Sequence, residues 1–466
     1  MTAPWRSLGS GPLAARSFRL LAGGQFASTI GDFCYAVALP WLVLSSHGSA
    51  ILLGAVLACY GVPRTVLIPV GGVLADKVGP RTLMLAADAA RCVLVAGLAL
   101  LAARHTASLA ALGPIAALIG AGEGLFIPAS FAIMPSLLDS DRLAAGNALS
   151  TAAMQVGSLL GPALGGALVA ATRASTAAFA VDAASFGVSA LTLLLIPRRP
   201  APGSVAGSVA GSIGGEAAVI SGVSEESETA DKGGVLALLR RSRALQVILV
   251  VVIAANLASG GMSDVALPAL AHASFGAAGY GALLACFAVG GIIGTLAAAR
   301  TGHLRAPVMF ASAVFLVEAA GIALIPYLGG EAGAAAALCV AGACNGLGNV
   351  TVLTVLQKWV PPGLLGRVMG TLMLCSFGSF PLSVAVSGVL VHHFGPTPFF
   401  PVAGALIAVA ILGGLTQREF RTFGAAGDDS QAAIGSEAEA KAATGSKAAT
   451  GSKAATGSQA AEGSRK

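Results

Sequence analysis

Twelve long apolar runs constrain the fold of this chain more than any other feature of its sequence. A helix needs about 20 mostly apolar residues to cross the hydrocarbon core of a bilayer, and it satisfies its own backbone hydrogen bonds in lipid. The runs also lack the alternation of apolar and polar residues that is typical of membrane-barrel strands. They cover approximately residues 18–44, 50–75, 81–103, 108–134, 144–171, 175–196, 244–270, 278–299, 307–328, 333–357, 366–391 and 396–416. The sequence therefore predicts an all-α integral membrane protein with twelve transmembrane helices.

The composition excludes an ordinary water-soluble protein. Hydrophobic residues make up 56% of the chain and charged residues only 10%, and the mean hydropathy is +0.83. The first run follows the basic residues Arg6, Arg16 and Arg19, contains Asp32 and is long enough to span a bilayer. We therefore expect it to be retained as the first helix rather than removed as a signal peptide.

A polar segment divides the runs into two sets of six. Residues 198–243 contain the repeat "GSVAGSVAGSI" followed by "EESETADK", which predicts a flexible, solvated linker. The exits of the fourth and tenth runs, "PSLLDSDR" (135–142) and "PPGLLGR" (361–367), resemble each other and indicate an internal repeat. We expect an N-terminal arm at 1–17, six-helix bundles at 18–197 and 244–417, and a disordered tail at 418–466 in which "KAATGS" recurs.

Basic residues predict the orientation in the membrane, because Lys and Arg concentrate in cytoplasmic loops. With the N-terminus placed inside, the outer loops hold only Arg104 and Arg173. The inner loops hold Lys77, Arg81, Arg142, Arg198, Arg199, Lys232, Arg240, Arg241, Arg243, Arg300, Arg305, Lys358 and Arg367. We expect both termini, the linker and the tail to be cytoplasmic in a plasma or inner membrane. The net charge of +6 then reflects topology, and we expect no nucleic-acid partner.

Enzymatic and metal-binding patterns are missing from the sequence. It contains no H-E-x-x-H, G-x-S-x-G or Walker motif. The seven cysteines all lie inside apolar runs and form no CxxC pair, which favours small buried residues over metal or disulfide roles. We expect no catalytic residue, no metal site and no cofactor, and we expect an ion gradient as the energy source.

The stretch "GGVLADKVGPR" (71–81) concentrates charge in a short turn between the second and third runs. Its motif residues are Gly72, Asp76, Lys77, Gly79 and Arg81. They resemble the loop motif of the major facilitator superfamily, G-x-x-x-D-R/K-x-G-R/K-R/K, with a departure at Pro80. Gly79 permits a tight turn. The resemblance implies that Asp76 binds the N-terminus of the eleventh helix and that the loop is a conformational latch on the cytoplasmic side. The alternative is an ordinary charged turn.

The fifth run contains a second motif, "GSLLGPALGG", with Gly157, Gly161, Pro162, Gly165 and Gly166. Three of the glycines share one helical face, which lets backbones approach closely, and the proline bends the helix. The stretch resembles the G-x-x-x-G-P-x-x-G-G motif of antiporters in the same superfamily, which implies export. We expect this face to pack on the eighth helix, where Gly290, Gly294 and Ala298 have the same spacing. Generic helix packing is the alternative.

Further stretches resemble one branch of the superfamily, the twelve-span macrolide-efflux and enterobactin-exporter-like proteins. They are "STIGDFCYAVALPWLVL" (28–44), "FAVDAASFGVSALTLLLIP" (179–197) and "LQKWVPPGLLGRVMG" (356–370). The resemblance covers about 18–200 and 240–416. One departure concerns the fourth helix, where Gly120 and Gly122 are present but Ala116 replaces the arginine of many proton antiporters. Proton coupling through that arginine is therefore excluded.

Eight charged residues fall within the runs: Asp32, Asp88, Glu123, Asp182, Asp264, Glu318, Arg64 and Arg91. A charge at mid-bilayer costs about 2.5–3.5 kcal/mol on insertion scales, so each must pair, hold a proton, lie near the interface or face water. Asp88 and Arg91 are three residues apart on one helix and can pair. We expect structural roles for Asp182 and Glu318, whose helices the family places at the periphery, and a cap or gate role for Asp264.

Asp32 and Glu123 differ because each lies near the middle of its run. The resemblance implies that helices one, four, seven and ten surround a central cavity, where these acids meet Asn256, Asn345 and Asn349. Arg64 on the second helix can reach one of the acids. We predict that Asp32 and Glu123 are proton-coupling or cation-binding groups, with a structural role as the alternative.

Together these features predict a monomeric secondary transporter that exports small amphipathic or hydrophobic molecules by proton antiport. Its partners are the small-molecule substrate, the proton gradient and the lipid bilayer. An uptake permease of the same fold and a non-transporting membrane receptor or assembly factor remain alternatives.

Overall fold

The computed structural model describes residues 11–46, 49–104, 108–197, 242–301, 304–360 and 362–423. In these ranges the chain is built from helices. The first six long helices are α1 (Arg16–Ser45), α2 (Ala50–Val78), α3 (Pro80–Ala103), α4 (Leu109–Ala132), α5 (Ser140–Thr172) and α6 (Thr176–Leu195). The second six are α7 (Arg243–Gly261, continuing through Met262–Ala266 to Leu267–Ser274), α8 (Gly276–Ala298), α9 (Pro307–Leu324), α10 (Gly330–Trp359), α11 (Pro362–Phe394) and α12 (Phe399–Leu415).

The helices match the predicted apolar runs in number and order. Eleven are long and apolar enough to cross a membrane, and α12 is a shorter apolar helix of 17 residues. Their ends follow local chemistry: the side chains of Ser49, Ser108 and Ser242 accept hydrogen bonds from main-chain N–H groups of α2, α4 and α7, as N-cap residues do. Gly79 alone separates α2 from α3 and has φ +86°, a backbone conformation that favours glycine.

The two halves of the chain repeat one packing scheme. In the first half α1 packs on α5 and α6, α4 packs on α2 and α3, and α3 packs on α6. The second half repeats these pairings six helices later: α7 with α11 and α12, α10 with α8 and α9, and α9 with α12. The main contacts between the halves are α2 with α11 and α5 with α8. Each of these pairs becomes the other when both helices are replaced by their counterparts six helices away. The fold is therefore two six-helix bundles that meet through two equivalent helix pairs.

The boundary is closed at one face of the membrane, the face opposite to the one where α1 begins and α12 ends. There a Cβ at Gly54 would lie 2.5 Å from the main-chain oxygen of Val384, and a Cβ at Gly281 would lie 2.3 Å from that of Pro162. The rings of Trp41 on α1 and His272 on α7 lie 4.8 Å apart in the same region. These contacts bring the two bundles together at the face of the membrane that lies opposite to the chain termini.

At the face where the chain termini lie, hereafter the termini face, α2 is free of such contact in the described part of the chain. Asp76 and Lys77 are exposed, and a Cβ added at Gly72 would meet no atom within 4 Å. Arg81 instead binds its own bundle, donating to the main-chain oxygens of Leu193 and Leu194 at the end of α6, at 2.8 and 3.1 Å. The space between the bundles therefore opens toward the termini face.

The C-terminal tail differs in part from the expected disordered segment, whereas most of the N-terminal arm and the linker cannot be compared. Nearly all of the linker at 198–243, and the arm up to residue 10, lie outside the described residues. The expected disordered tail begins with order: Arg418–Thr422 is a short helix. Phe420 and Phe423 are buried in the termini end of the second bundle, and the ring of Phe423 lies 4.6 Å from that of Trp359. Burial of two aromatic rings extends the ordered chain to Phe423, and residues 424–466 lie outside the description.

Candidate functional site

Close packing of α4 on α2 builds the first part of the site. A Cβ at Gly120 would lie 2.0 Å from the main-chain oxygen of Tyr60, and one at Gly124 would lie 2.5 Å from that of Arg64. Two glycines one turn apart thus bring the two backbones together. Glu123, which stands between these glycines, is placed beside the side chains of Tyr60 and Arg64.

These three side chains form a polar cluster in the middle of the first bundle. Arg64 Nη2 lies 3.0 Å from Glu123 Oε1, and both side chains are about four-fifths buried, with 19% and 22% exposure. The hydroxyl of Tyr60 donates to the other carboxylate oxygen of Glu123. Arg64 is the cation that sequence analysis expected to reach one of the cavity acids, and the structure brings it to Glu123.

The cluster also touches the other half of the protein. The Arg64 guanidinium carbon lies 4.8 Å from the centre of the Phe377 ring on α11, a cation–π arrangement. The hydroxyl of Thr65 donates to the main-chain oxygen of Phe377 at 3.0 Å, and the Tyr60 ring packs edge-on against Phe380. Tyr60, Thr65 and Phe377 were not predicted as site residues. The spacing of Tyr60 and Arg64, four apart on one helix, was the available signal for the first of them.

Asp32 occupies a different environment from Glu123. It lies at mid-length of α1 and is exposed, while its carboxyl interacts electrostatically with Arg91, Glu123, Asp88 and Arg64. These charges all belong to the first bundle, so Asp32 faces the bundle interior and the open space beside it rather than lipid. The described part of the chain offers its carboxylate no hydrogen bond or ion pair at contact distance. Asp32 is thus an exposed acid that interacts electrostatically with the Arg64–Glu123 pair.

A second ion pair lies deep between α3, α4 and α6. Arg91 Nη2 and Asp88 Oδ1 are 2.6 Å apart, and both side chains are almost fully buried. Ser189 on α6 donates to the other oxygen of Asp88 at 2.6 Å. The guanidinium lies over the rings of Phe126 and Phe186 at 4.6 and 4.3 Å. The predicted pairing of Asp88 with Arg91 is present, and it joins three helices of the bundle.

In the second bundle, the predicted asparagines take two separate positions. Asn345 Nδ2 donates to Glu318 Oε1 at 2.9 Å, and Asn349 Nδ2 donates to Asn345 Oδ1 at 3.1 Å. Asn349 is exposed whereas Glu318 is buried, so an amide relay leads from open space to a buried acid. Asn256 instead donates within α7 to the Val252 oxygen, and weakly to Ser376 on α11 at 3.4 Å.

The helix α7 changes geometry beside the site. Met262–Ala266 is a π-helical turn that contains Asp264, and such turns frequently occur at functional sites. Asp264 is half-buried and interacts electrostatically with Arg64 across the bundle boundary. The acids of the site therefore come from both halves. No pattern in the sequence predicted this local change in helical period.

The glycine motif on α5 packs on a different helix from the one expected. A Cβ at Gly157 would lie 2.6 Å from Thr29, one at Gly161 would lie 2.4 Å from Phe33, and one at Gly165 would lie 2.9 Å from Cys34, all on α1. On α8, Gly290 and Gly294 face Cys339 and Ala343 of α10 rather than α5, with the Cβ sites 1.9 Å from main-chain oxygens. The expectation that these two glycine faces pack on each other is therefore wrong, because each face packs on a helix of its own bundle.

The contact between α5 and α8 belongs to the other two residues of the motif. A Cβ at Gly166 would lie 2.7 Å from the oxygen of Ala277 and 3.0 Å from the Cα of Gly281, and the oxygen of Pro162 approaches Gly281. A glycine row read from sequence does not show its partner, because every small face permits close approach.

The site consists of ion pairs and carboxyl groups within the membrane-spanning helices. Within the described residues, no three His, Cys, Asp or Glu side chains are grouped to hold a metal ion. The motif residues around Asp76 lie far from this cluster, at the termini end of α2, where Asp76 and Lys77 are exposed.

Comparison with known proteins gives a consistent result. The sequence profile described as Major Facilitator Superfamily matches residues 21–379. An uncharacterised MFS-type transporter, YfiS of Bacillus subtilis, is 25% identical over 401 residues, which cover 83% of this chain and 89% of that protein. The enterobactin exporter EntS of Salmonella typhimurium is 26% identical over 424 residues, which cover 87% of this chain and 94% of that protein.

Solved structures share the fold at low sequence identity. A bacterial homologue of the iron transporter ferroportin, in an inward-facing state, aligns with a TM-score of 0.65 at 14% identity, covering 88% of this chain and 98% of that one. The nucleoside transporter NupG aligns with a TM-score of 0.62 at 12% identity, covering 86% and 98%.

Proposed function

The chain belongs to the major facilitator superfamily, and on that premise we propose that it exports small amphipathic or hydrophobic molecules by proton antiport. The names of its relatives indicate a transporter rather than an enzyme. It is a multi-pass membrane protein with exporters among those relatives. The direction of transport, the coupling ion and the substrate class are parts of this proposal.

Export is supported by two independent features. EntS, which carries the name of an exporter, aligns over 87% of the chain. The motif Gly157–Gly166 resembles that of antiporters in the superfamily. The alternating-access cycle would start from the conformation described here, in which the bundles meet at the opposite face and the Asp32 side opens to the termini face. If the termini are cytoplasmic, as the distribution of Lys and Arg predicts, this state loads substrate from the cytoplasm.

Proton coupling is supported by one observation above all: Asp32 is an exposed acid in the middle of α1, without an ion pair among the described residues, near an Arg64–Glu123 pair that contacts the other bundle. An acid in this position is unlike the salt-bridged Asp88, because it can take a proton from water without breaking an ion pair. Glu123, by contrast, is held in an ion pair by Arg64. Protonation of Asp32 thus changes the charge next to the boundary between bundles.

The charge of the cavity side supports the proposed substrate class. The cavity side presents Asp32, Glu123 and Asp264 against a single nearby boundary cation, Arg64. An anion would lose its water beside like charge, so the site favours neutral or cationic molecules. We propose that they are small and amphipathic, as expected from sequence, and that the protein works as a monomer in a plasma or inner membrane.

The motif at 72–81 fits the same cycle as a latch. In this conformation Asp76 and Lys77 are exposed, which is what an open termini face requires. We propose that Asp76 binds the N-terminus of α11 when the bundles close at the termini face, where helix N–H groups favour a carboxylate. Arg81 would keep the loop anchored to α6 in both states.

Accumulation of a cationic amphipathic dye in cells with and without the protein tests the direction. An exporter lowers the steady-state dye content, and collapse of the proton gradient restores it. An uptake permease raises the dye content instead. A receptor or assembly factor leaves it unchanged at matched expression, which would contradict the proposed transport.

A further inference from the structure

Two aspartates lie on neighbouring helices of the first bundle, Asp88 on α3 and Asp182 on α6, and their surroundings differ sharply. Asp88 has both carboxylate oxygens satisfied, one by Arg91 and one by Ser189 at 2.6 Å each. Asp182 on α6 is equally buried, at 1% exposure, yet its Oδ1 has no hydrogen-bond partner in the described part of the chain. The single buried arginine of this region is already committed to Asp88.

The carboxyl of Asp182 is held against α1. Its Oδ1 lies 2.6 Å from the position that a Cβ would take at Gly31, so only glycine leaves room for it. The neighbouring hydroxyl of Ser185 donates to the main-chain oxygen of Asp182 at 2.7 Å. Tyr35, one turn after Gly31, has a buried hydroxyl that is also without a partner among the described residues. An unpartnered acid and an unpartnered donor thus share the α1–α6 interface.

The charges that face Asp182 do not support an ionised carboxylate. From α1 it meets Asp32, Tyr35 and Cys34, and from α3 and α4 it meets Arg91 and Glu123. A buried carboxylate oxygen without a hydrogen-bond partner is costly, and the usual remedy is for the group to become neutral. Two of its neighbours are acids, and the one cation is neutralised by Asp88. The geometry therefore favours a neutral carboxylic acid.

We propose that Asp182 is a second proton-binding site, at the α1–α6 interface, which is protonated in this conformation and exchanges its proton with Asp32. The proton leaves a carboxyl oxygen of Asp182 and binds the carboxylate of Asp32, so that one negative charge moves from Asp32 to Asp182 and no other reactant is needed. The Tyr35 hydroxyl is the donor that stabilises the newly formed carboxylate once α1 shifts. The proton passes between the cavity and the bundle interior in this way.

The functional meaning of this site rests on the proposed proton antiport, but its protonation does not. The test is therefore spectroscopic and needs no substrate: infrared spectra of the full-length protein in lipid nanodiscs at neutral pH, taken for the wild type and for Asp182→Asn. The difference spectrum should contain the carbonyl stretch of one protonated carboxylic acid. Ser185→Ala, which keeps the acid, is the matched control and should retain that band.

Loss of a carboxylate stretch instead of a carboxylic-acid band in Asp182→Asn would overturn the proposal, because Asp182 would then be ionised. Loss of the same band in Asp32→Asn but not in Asp182→Asn would place the proton on the other acid and also overturn it. If Asp182→Asn does not fold, Asp182→Ser gives the same comparison. If the carboxylic-acid band is lost in Asp182→Asn but the protein transports no dye, the protonated Asp182 is supported and the proposed transport function is contradicted. The failure of one proposal can thus be distinguished from the failure of the other.

Discussion

Arg64 on α2 pairs with Glu123 on α4 at 3.0 Å while its guanidinium lies over the ring of Phe377 on the other bundle. A single cation therefore joins a cavity acid to the boundary between the two halves. Removal of the Glu123 charge would leave Arg64 beside Phe377 without its ion-pair partner. This relationship gives a physical route by which the charge state of the site can bias the approach of the bundles.

The first prediction concerns that pair. Glu123→Gln should lower the free energy of unfolding by about 1.5–3 kcal/mol, because a hydrogen-bonded charge pair is lost while Arg64 stays mostly buried. Thermal unfolding in detergent measures the change. Arg64→Gln alone should show a similar loss, and the double variant should lose less than the sum. Strict additivity would mean that the two residues do not interact.

The second prediction separates the buried acids by stability. Asp88→Asn should destabilise the protein by about 3–5 kcal/mol, because it leaves the charge of Arg91 buried without its partner. Asp182→Asn should cost much less, since it replaces a neutral acid by a neutral amide of the same shape. Expression and unfolding temperature of the two variants, measured side by side, check the order. Equal losses would contradict the assignment of their charge states.

The sequence predicted the helices well because each must satisfy a length and an apolarity that the bilayer imposes. It identified Asp32, Glu123 and Arg64 because charge is costly within a span. It did not identify Tyr60 or Phe377, since aromatic residues are ordinary in apolar runs. Their role depends on which helix faces which, and that is decided by glycine contacts such as Gly124 with Arg64.

The third prediction follows from the corrected partners of the α5 motif. Gly161→Leu should destabilise the first bundle by about 1–3 kcal/mol or more through overpacking against Phe33 of α1. Gly166→Leu should leave that bundle folded but prevent the approach of α5 to α8 at Gly281. Unfolding temperature and dye efflux together distinguish the two. A Gly166→Leu protein with full transport would show that this close approach is not required.

The glycine rows on α5 and α8 also show that the sequence does not predict which helix a small helical face contacts. Spacing alone made Gly161 and Gly294 appear complementary across the boundary, and each instead packs inside its own bundle. A small helical face is recognisable from sequence, but its partner is set by the tertiary arrangement of all twelve helices.

The fourth prediction concerns the latch. Asp76→Asn should weaken closure at the termini face and so enrich the conformation described here. Trp41→Cys with His272→Cys, placed where the two rings now meet at 4.8 Å, reports that conformation through a short bifunctional thiol reagent, in a background without the seven native cysteines. Adding Asp76→Asn should increase cross-linking. Reduced cross-linking would mean that Asp76 stabilises the present state instead.

The fifth prediction tests the central claim that Asp32 carries the coupled proton. Transport of a cationic amphipathic dye is measured in proteoliposomes in two ways, as flux driven by a pH gradient and as dye counterflow without one. Asp32→Asn should abolish the first and keep the second, because it cannot exchange a proton but leaves the cavity open. Asp141→Asn, an exposed acid at the start of α5, is the control and should keep both. Full pH-driven flux in Asp32→Asn would contradict the account.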